Sequence, residues 1–238
     1  MCQDCGCGDN ELVPVEVQTR LLESNDRTAG HNREHFEESG VLAINLMGSP
    51  GSGKTALLEA TARWGRGGLR IAAVSGDLET DNDARRLTSA GIPARSITTG
   101  TACHLDAALV HKALHGFAVD AVDVFFIENV GNLVCPAIYD LGQAANVVAL
   151  SITEGEDKPL KYPTMFRAAD VVVLTKLDLL PHLDVRVEAI EDALARVMPS
   201  PRLIAVSAKT GAGIDSWVEW IAQRRLHRPK AAPHEARH

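Results

Sequence analysis

Short apolar runs alternate with longer mixed segments along this chain. The first run, residues 41–47 (VLAINLM), is followed by others at 70–74, 92–98, 122–127, 146–152, 170–174 and 203–206. Runs this short read as strands, and those that are mostly apolar rather than apolar at every second position, such as 41–47 and 122–127, as strands buried on both faces. Between them lie helix-compatible stretches. One spans 55–64 and is closed by Gly65; another surrounds Ala84-Arg85-Arg86; a third covers 105–115. A last one, 213–224, repeats Trp217, Trp220 and Ile221 at core-face spacing. Residues 17–40 are charged and helix-friendly, with Leu21 and Leu22 as the main apolar positions. Strands alternating with helices predict an α/β fold, a three-layer sandwich with a mostly parallel central sheet. The expected divisions are a motif and linker at 1–16, a helix at 17–40, one domain at 41–225 and a disordered tail at 226–238.

The turn after the first strand carries the strongest chemistry. Gly48-Ser49-Pro50-Gly51-Ser52-Gly53-Lys54-Thr55 matches GxxxxGK[ST], the phosphate-binding loop of P-loop NTPases. Its glycines let backbone N–H groups turn onto a phosphate chain at the positive end of the next helix. Lys54 is expected to reach the outer phosphates, and the Thr55 hydroxyl to hold Mg²⁺. The second strand leads into an acidic loop, where Asp77 is a candidate second Mg²⁺ ligand, direct or through water; Asp81 and Asp83 suit the start of the following helix. The run at 122–127 ends in Glu128-Asn129-Val130-Gly131, where such proteins place a metal-directed acid (Glu128) and a γ-phosphate-contacting glycine (Gly131). Such a segment is ordered in one nucleotide state and released in the other.

Two further motifs choose the base. Thr175-Lys176-Leu177-Asp178 is close to the guanine-reading Asn-Lys-x-Asp pattern, with Thr175 in place of Asn. Asp178 accepts from N1–H and the 2-amino group of guanine, and the Lys176 stem lies over the base. Ser207-Ala208-Lys209 follows the last strand and offers the Ala208 N–H to guanine O6. In this order after a phosphate loop, the two favour GTP and GDP over adenine nucleotides, because a mismatched base leaves buried polar groups unpaired.

The chain has 238 residues, 45% hydrophobic and 23% charged, which suits one soluble α/β domain with short extensions. A net charge of −7 argues against nucleic-acid partners, and no run is long enough to insert in a membrane. No secretory signal is visible, so a reducing cytoplasm is expected. In that setting the five cysteines point to metal or redox chemistry rather than disulfides. Cys2, Cys5 and Cys7 (MCQDCGCG) gather three thiolates, donors that select Ni, Zn, Cu(I) or Fe–S; if Met1 is removed, the Cys2 amine adds a donor that suits planar Ni²⁺. A redox CxxC competes, but that chemistry normally sits at a helix start on a folded core. Cys103, alone a plausible structural thiol, gains a partner in Cys135, four residues past Gly131. If the two loops meet, Cys103, His104 and Cys135 form a second metal site beside the nucleotide-sensing segment. His31 and His35, one turn apart, could ligate a metal, but the acidic neighbours Glu34, Glu37 and Glu38 favour a solvated helix face; His111 and His115 read as surface histidines sharing a helix face with His104.

The combined set CQDCGCG, GSPGSGKT, GDLETDND, CHLD, FIENVGNLVCP, SITEGEDKPLKYP, TKLDLLP and SAKTG resembles the HypB-type hydrogenase nickel-incorporation GTPases of the SIMIBI class. The resemblance implies a dimerising, Mg²⁺-dependent GTPase; with no obvious catalytic Gln or Arg finger in the sequence, slow intrinsic turnover is expected. It also implies delivery of Ni²⁺ to the [NiFe]-hydrogenase large subunit together with a HypA-type metallochaperone. A tight nickel site at Cys2, Cys5 and Cys7 and a weaker Ni/Zn site at Cys103, His104 and Cys135, where two subunits meet, follow from it. A nickel-storage or sensing module, and a GTPase serving urease or cobalamin enzymes, remain alternatives.

Overall fold

The structure, a computed structural model, describes residues 15–65, 68–100 and 102–226. Seven strands form one parallel sheet: β1 (Leu42–Met47), β2 (Ile71–Asp77), β3 (Ala94–Thr98), β4 (Val124–Glu128), β5 (Ala145–Ser151), β6 (Val171–Thr175) and β7 (Leu203–Ala205). The spatial order is β3-β2-β4-β1-β5-β6-β7, with β1 at the centre and its neighbours reached by crossovers in opposite directions. That reversal is the switch point at which open α/β sheets bind ligands. Register brings the functional ends together: Leu46 pairs with Glu128 on one side and Val147 on the other, and Glu128 pairs with Ser75.

The helices are α1 (Val15–Glu38), α2 (Lys54–Trp64), α3 (Asn82–Ser89), α4 (Ala107–Leu114), α5 (Lys158–Lys161), α6 (Pro163–Arg167), α7 (Val187–Val197) and α8 (Ile214–Leu226). Alternate strand residues feed opposite layers, as the two-residue period of a pleated strand requires. Leu42, Ile44 and Leu46 of β1 pack with Val124 and Phe126 under α2 and α8, joined by Leu57, Leu58, Trp217 and Trp220. Ala43, Phe125 and Ile127 face the other way, under Phe36 of α1 and Val110 and Leu114 of α4. A third cluster closes the β5–β6 side with Met165, Phe166, Ile190 and Leu194.

Several expectations are corrected. The N-terminal helix begins at Val15, inside the expected linker, and its buried residues are Asn25, Ala29, Asn32 and Phe36, whereas Leu21 is 59% exposed. Phe36 docks on Phe125 with ring centroids 5.5 Å apart, so the helix is a layer of the fold rather than an appendage. At the other end, α8 runs through Leu226. Helix α7 has no counterpart among the expected elements, although Val187, Ile190, Leu194 and Val197 have helical spacing. His104 precedes α4 rather than sharing its face with His111 and His115. Cys2, Cys5 and Cys7 lie outside the described residues.

Candidate nucleotide and metal sites

The loop between β1 and α2 wraps a cleft of about 440 Å³ lined by Pro50, Gly51, Gly53, Lys54, Thr55, Asp77, Glu128 and Gly131 among others. Two glycines hold its shape. Gly48 has φ of +149°, and a Cβ there would lie 2.4 Å from the Ala149 carbonyl oxygen. Gly131 sits against Pro50, three atoms of which would lie 2.9 Å from an added Cβ. Any side chain there would push the following segment off the loop. Gly53 starts α2 without a side-chain cap, so no side chain occupies the positive end of the helix.

The charged groups are packed for a ligand rather than for each other. Lys54 is 8% exposed and its Nζ donates to the Gly48 and Ser49 carbonyls at 3.2 and 3.1 Å. Burial lowers its pKa, and the Glu128 charge opposes that shift. Thr55 Oγ1 donates to Glu128 Oε1 at 2.6 Å. Burial pushes the Glu128 carboxyl up to about 7 despite that bond, and its Oε2 is buried without a hydrogen-bond partner. A hydroxyl beside a carboxylate oxygen with an unused lone pair is the hard donor set that Mg²⁺ takes. Asp77 Oδ1 accepts from the N–H groups of Glu79 and Thr80 at 3.1 and 3.2 Å, which hold its pKa down and fix the carboxylate at the cleft wall.

A second cleft, about 340 Å³, adjoins the first and shares Gly53 and Ala56 with it. It is lined by Thr175, Lys176, Asp178, Ala208 and Lys209, so the two segments expected to read the base meet here. The Thr175 hydroxyl donates to Ser52 O at 2.5 Å, tying this segment to the phosphate loop as an Asn in its place would be asked to do. Lys176 holds φ of +59°, the one positive φ outside glycine among the described residues, and its Nζ donates to Gly51 O at 2.7 Å. Ser207 Oγ donates to Asp178 Oδ1 at 2.7 Å, which leaves the other carboxylate oxygen to face the cleft.

On the opposite flank of the loop, Cys103, His104 and Cys135 come together although 32 residues separate the two cysteines. Their ligand atoms lie within 4.8 Å of one another; the two sulfurs are 3.0 Å apart, and His104 Nδ1 is 3.8 Å from Cys103 Sγ. Burial lowers the His104 pKa, favouring the neutral imidazole that a metal requires, and the ring stacks on Tyr139 at 3.9 Å. Cys103 raises the Cys135 thiol by sharing its proton. Two thiols and a neutral imidazole suit Ni²⁺ or Zn²⁺ and disfavour hard ions.

Residues that no motif revealed join the clefts. The Asn132 N–H donates to Gly48 O at 3.1 Å, its side-chain amide donates to Cys103 O at 3.3 Å, and its side-chain oxygen accepts from Val134 N at 2.8 Å. One asparagine therefore touches the phosphate loop and both cysteine segments. Asn129 ties the residue after His104 to the central strand, accepting from Leu105 N and donating to Asn45 of β1, both at 3.1 Å. Glu154 accepts the Ser49 hydroxyl from the β5 side. Leu179, Leu180 and Leu183, just past Asp178, are partly buried against the third core cluster.

A phosphate loop at the end of the central strand, with adjoining clefts on the sheet's carboxyl edge, defines a P-loop nucleotide-binding protein. Residues 42–204 match the family model described as CobW/HypB/UreG, nucleotide-binding domain. The hydrogenase maturation factor HypB of Rhizobium leguminosarum bv. viciae is 50% identical over 222 residues, which cover 92% of this chain and 74% of that protein. The crystal structure of HypB from Helicobacter pylori in complex with nickel superposes with a TM-score of 0.80 at 38% identity, covering 85% of this chain and 95% of that one. HypB from Archaeoglobus fulgidus gives 0.78 at 39% identity, covering 86% and 100%. The chain belongs to the HypB family of hydrogenase maturation factors. Among the described residues no helix is long and apolar enough to cross a membrane.

Proposed function

We propose that this protein is a GTP-hydrolysing nickel metallochaperone that delivers Ni²⁺ to the [NiFe]-hydrogenase large subunit, with nucleotide state controlling the Cys103–His104–Cys135 site. The observation that carries the reading is Asn132, whose backbone is bonded to the phosphate loop and whose side chain is bonded to Cys103 and to the segment entering Cys135.

Asp178, steadied by Ser207, selects guanine, with the Ala208 N–H and the Lys176 stem completing the base site. The loop amides and Lys54 take the phosphates; on binding, the Lys54 ammonium exchanges the Gly48 and Ser49 carbonyls for phosphate oxygens. Mg²⁺, when bound, neutralises charge on the outer phosphates, and Thr55, Glu128 and Asp77 are the residues that would hold it. The Gly131 N–H is the group that meets the γ-phosphate. Contact there orders residues 128–132, and through Asn132 sets the spacing of Cys103 and Cys135. Loss of the γ-phosphate relaxes that spacing and changes the hold on Ni²⁺ or Zn²⁺. Cys2, Cys5 and Cys7 form a separate, tighter nickel site. A second copy of the chain completes the weaker metal site, and a HypA-type metallochaperone and the hydrogenase large subunit are the working partners in the cytoplasm.

The test is turnover with GTP and ATP in the wild type, Lys54→Ala and Asp178→Asn. The reading requires GTP turnover that Lys54→Ala abolishes and a preference for guanine that Asp178→Asn erodes. Equal use of both nucleotides, or metal binding with no turnover at all, would leave a storage module instead.

A further inference from the structure

Four histidines converge away from the cysteines. His31 and His35 lie one turn apart on α1; His111 and His115 lie one turn apart at the end of α4. The two helices run side by side in the same direction: Asn25 accepts from Ala107 N, and Asn32 reaches Ala107 O and Leu141 O. The His31 and His111 rings are 5.0 Å apart between centroids, and the His111 and His115 rings 4.9 Å.

What distinguishes the cluster is how His111 is held. Asn32 is fully buried and its amide nitrogen is committed to two backbone carbonyls at 2.9 and 3.2 Å. Its oxygen therefore faces His111 Nδ1, 3.0 Å away, and can only accept. The proton of a neutral His111 sits on Nδ1, which leaves the Nε2 lone pair free. A ring nitrogen fixed as donor to a buried acceptor, with its other nitrogen bare, is the arrangement that orients metal-ligating histidines.

We propose that His111, His31 and His115, with His35 at the rim, form a nitrogen-only binding site for a borderline divalent cation of the Ni²⁺ or Zn²⁺ class, distinct from the cysteine site. Imidazole nitrogens about 2.0–2.1 Å from such an ion stand roughly 3.3 Å apart; among the described residues only Cys103, His104 and Cys135 already hold three ligand atoms within 4.8 Å, so the exposed His31 and His115 side chains would rotate to close on the ion. The site lies on the helix that begins three residues after His104, with His111 about 6 Å further along the axis than Ala107. It places an imidazole clamp next to the thiol site, and a bound ion would staple α1 to α4. His31 also has Glu34 within 4.0 Å, a carboxylate that favours a bound cation.

The experiment uses the full-length chain with Cys2→Ser, Cys5→Ser, Cys7→Ser, Cys103→Ser and Cys135→Ser, titrated with Ni²⁺ alone by calorimetry. One saturable site per chain is expected, weakened at least about tenfold when His31→Ala and His115→Ala are added. Cu²⁺ in the same protein should give an electron paramagnetic resonance spectrum with nitrogen superhyperfine structure that the two substitutions remove. In the wild-type background, the same pair should lower nickel stoichiometry by one, which keeps the test valid if the cysteine-free chain folds poorly. Binding that survives the histidine substitutions in both backgrounds, or no saturable nickel in a folded cysteine-free chain, overturns the proposal. Neither result bears on the GTP-gated cysteine site.

Discussion

Thr175→Val isolates a single hydroxyl. The substitution keeps volume and branching at a buried position and removes the donor that reaches Ser52 O at 2.5 Å and, more weakly, Leu150 O at 3.4 Å. Ser52 lies inside the phosphate loop and its own Oγ is buried without a partner, so the loop has few bonds to lose. A buried carbonyl left without its donor costs about 1–3 kcal/mol. For a chain of this size each kcal/mol moves the melting temperature by about 2–4 °C, so Tm should fall by roughly 2–12 °C. The same bond joins the base-reading segment to the phosphate loop, so nucleotide should stabilise the variant less than the wild type at equal concentration. Thermal unfolding with and without saturating GDP measures both. A variant that melts with the wild type and gains as much from GDP would refute the view that Thr175 does the work of the usual asparagine.

Three other outcomes follow from the site. Gly131→Ala places a methyl group 2.9 Å from Pro50, which must displace the sensing segment; GTP affinity should fall at least about tenfold with GDP affinity less affected, and equal losses would contradict a γ-phosphate role. Lys54→Ala removes the ammonium aimed at the phosphates; a filter-binding assay should show the loss of tight GTP binding, while the fold, read by circular dichroism, persists. Glu128 gives a pH signature in the nucleotide-free protein. Its folded pKa, raised to about 7 by burial, exceeds the ordinary 4.5, so the folded state keeps a proton that the unfolded chain has released. Stability therefore declines as pH rises from about 4.5 to 7, and Glu128→Gln should flatten that decline and raise Tm at pH 8 but not at pH 4. Parallel melting curves for the two proteins across this range would show that the carboxyl is not so shifted.

What could be read from the chain is what is written locally. The phosphate loop is legible because glycines at Gly48 and Gly53 answer a backbone demand that few other residues meet, and strands buried on both faces announce themselves as apolar runs. Cys103 and Cys135 could be paired in advance because each follows a strand, β3 and β4, and parallel strands deliver their following loops to one sheet edge. Asn132, Asn129 and Asn32 could not be. An amide's role depends on which carbonyls and rings lie around it, and those arrive from residues up to 109 positions away, as with Asn32 and Leu141. Leu21 misled for the opposite reason: a lone leucine on a charged helix looks apolar enough to be buried, while the face that docks uses Asn25, Ala29, Asn32 and Phe36, two of them polar. The α7 pattern was legible and lay beyond the segment that carried chemistry.

The central claim is that nucleotide state sets the hold on metal at Cys103, His104 and Cys135. It is tested most directly by the Ni²⁺ dissociation constant of a Cys2→Ser, Cys5→Ser, Cys7→Ser protein, measured with Mg²⁺ and either a non-hydrolysable GTP analogue or GDP. The account predicts constants that differ by about 5- to 150-fold, lost in Asn132→Ala, with nickel shifting the nucleotide affinities by the same factor. Identical constants in the two nucleotide states would contradict it.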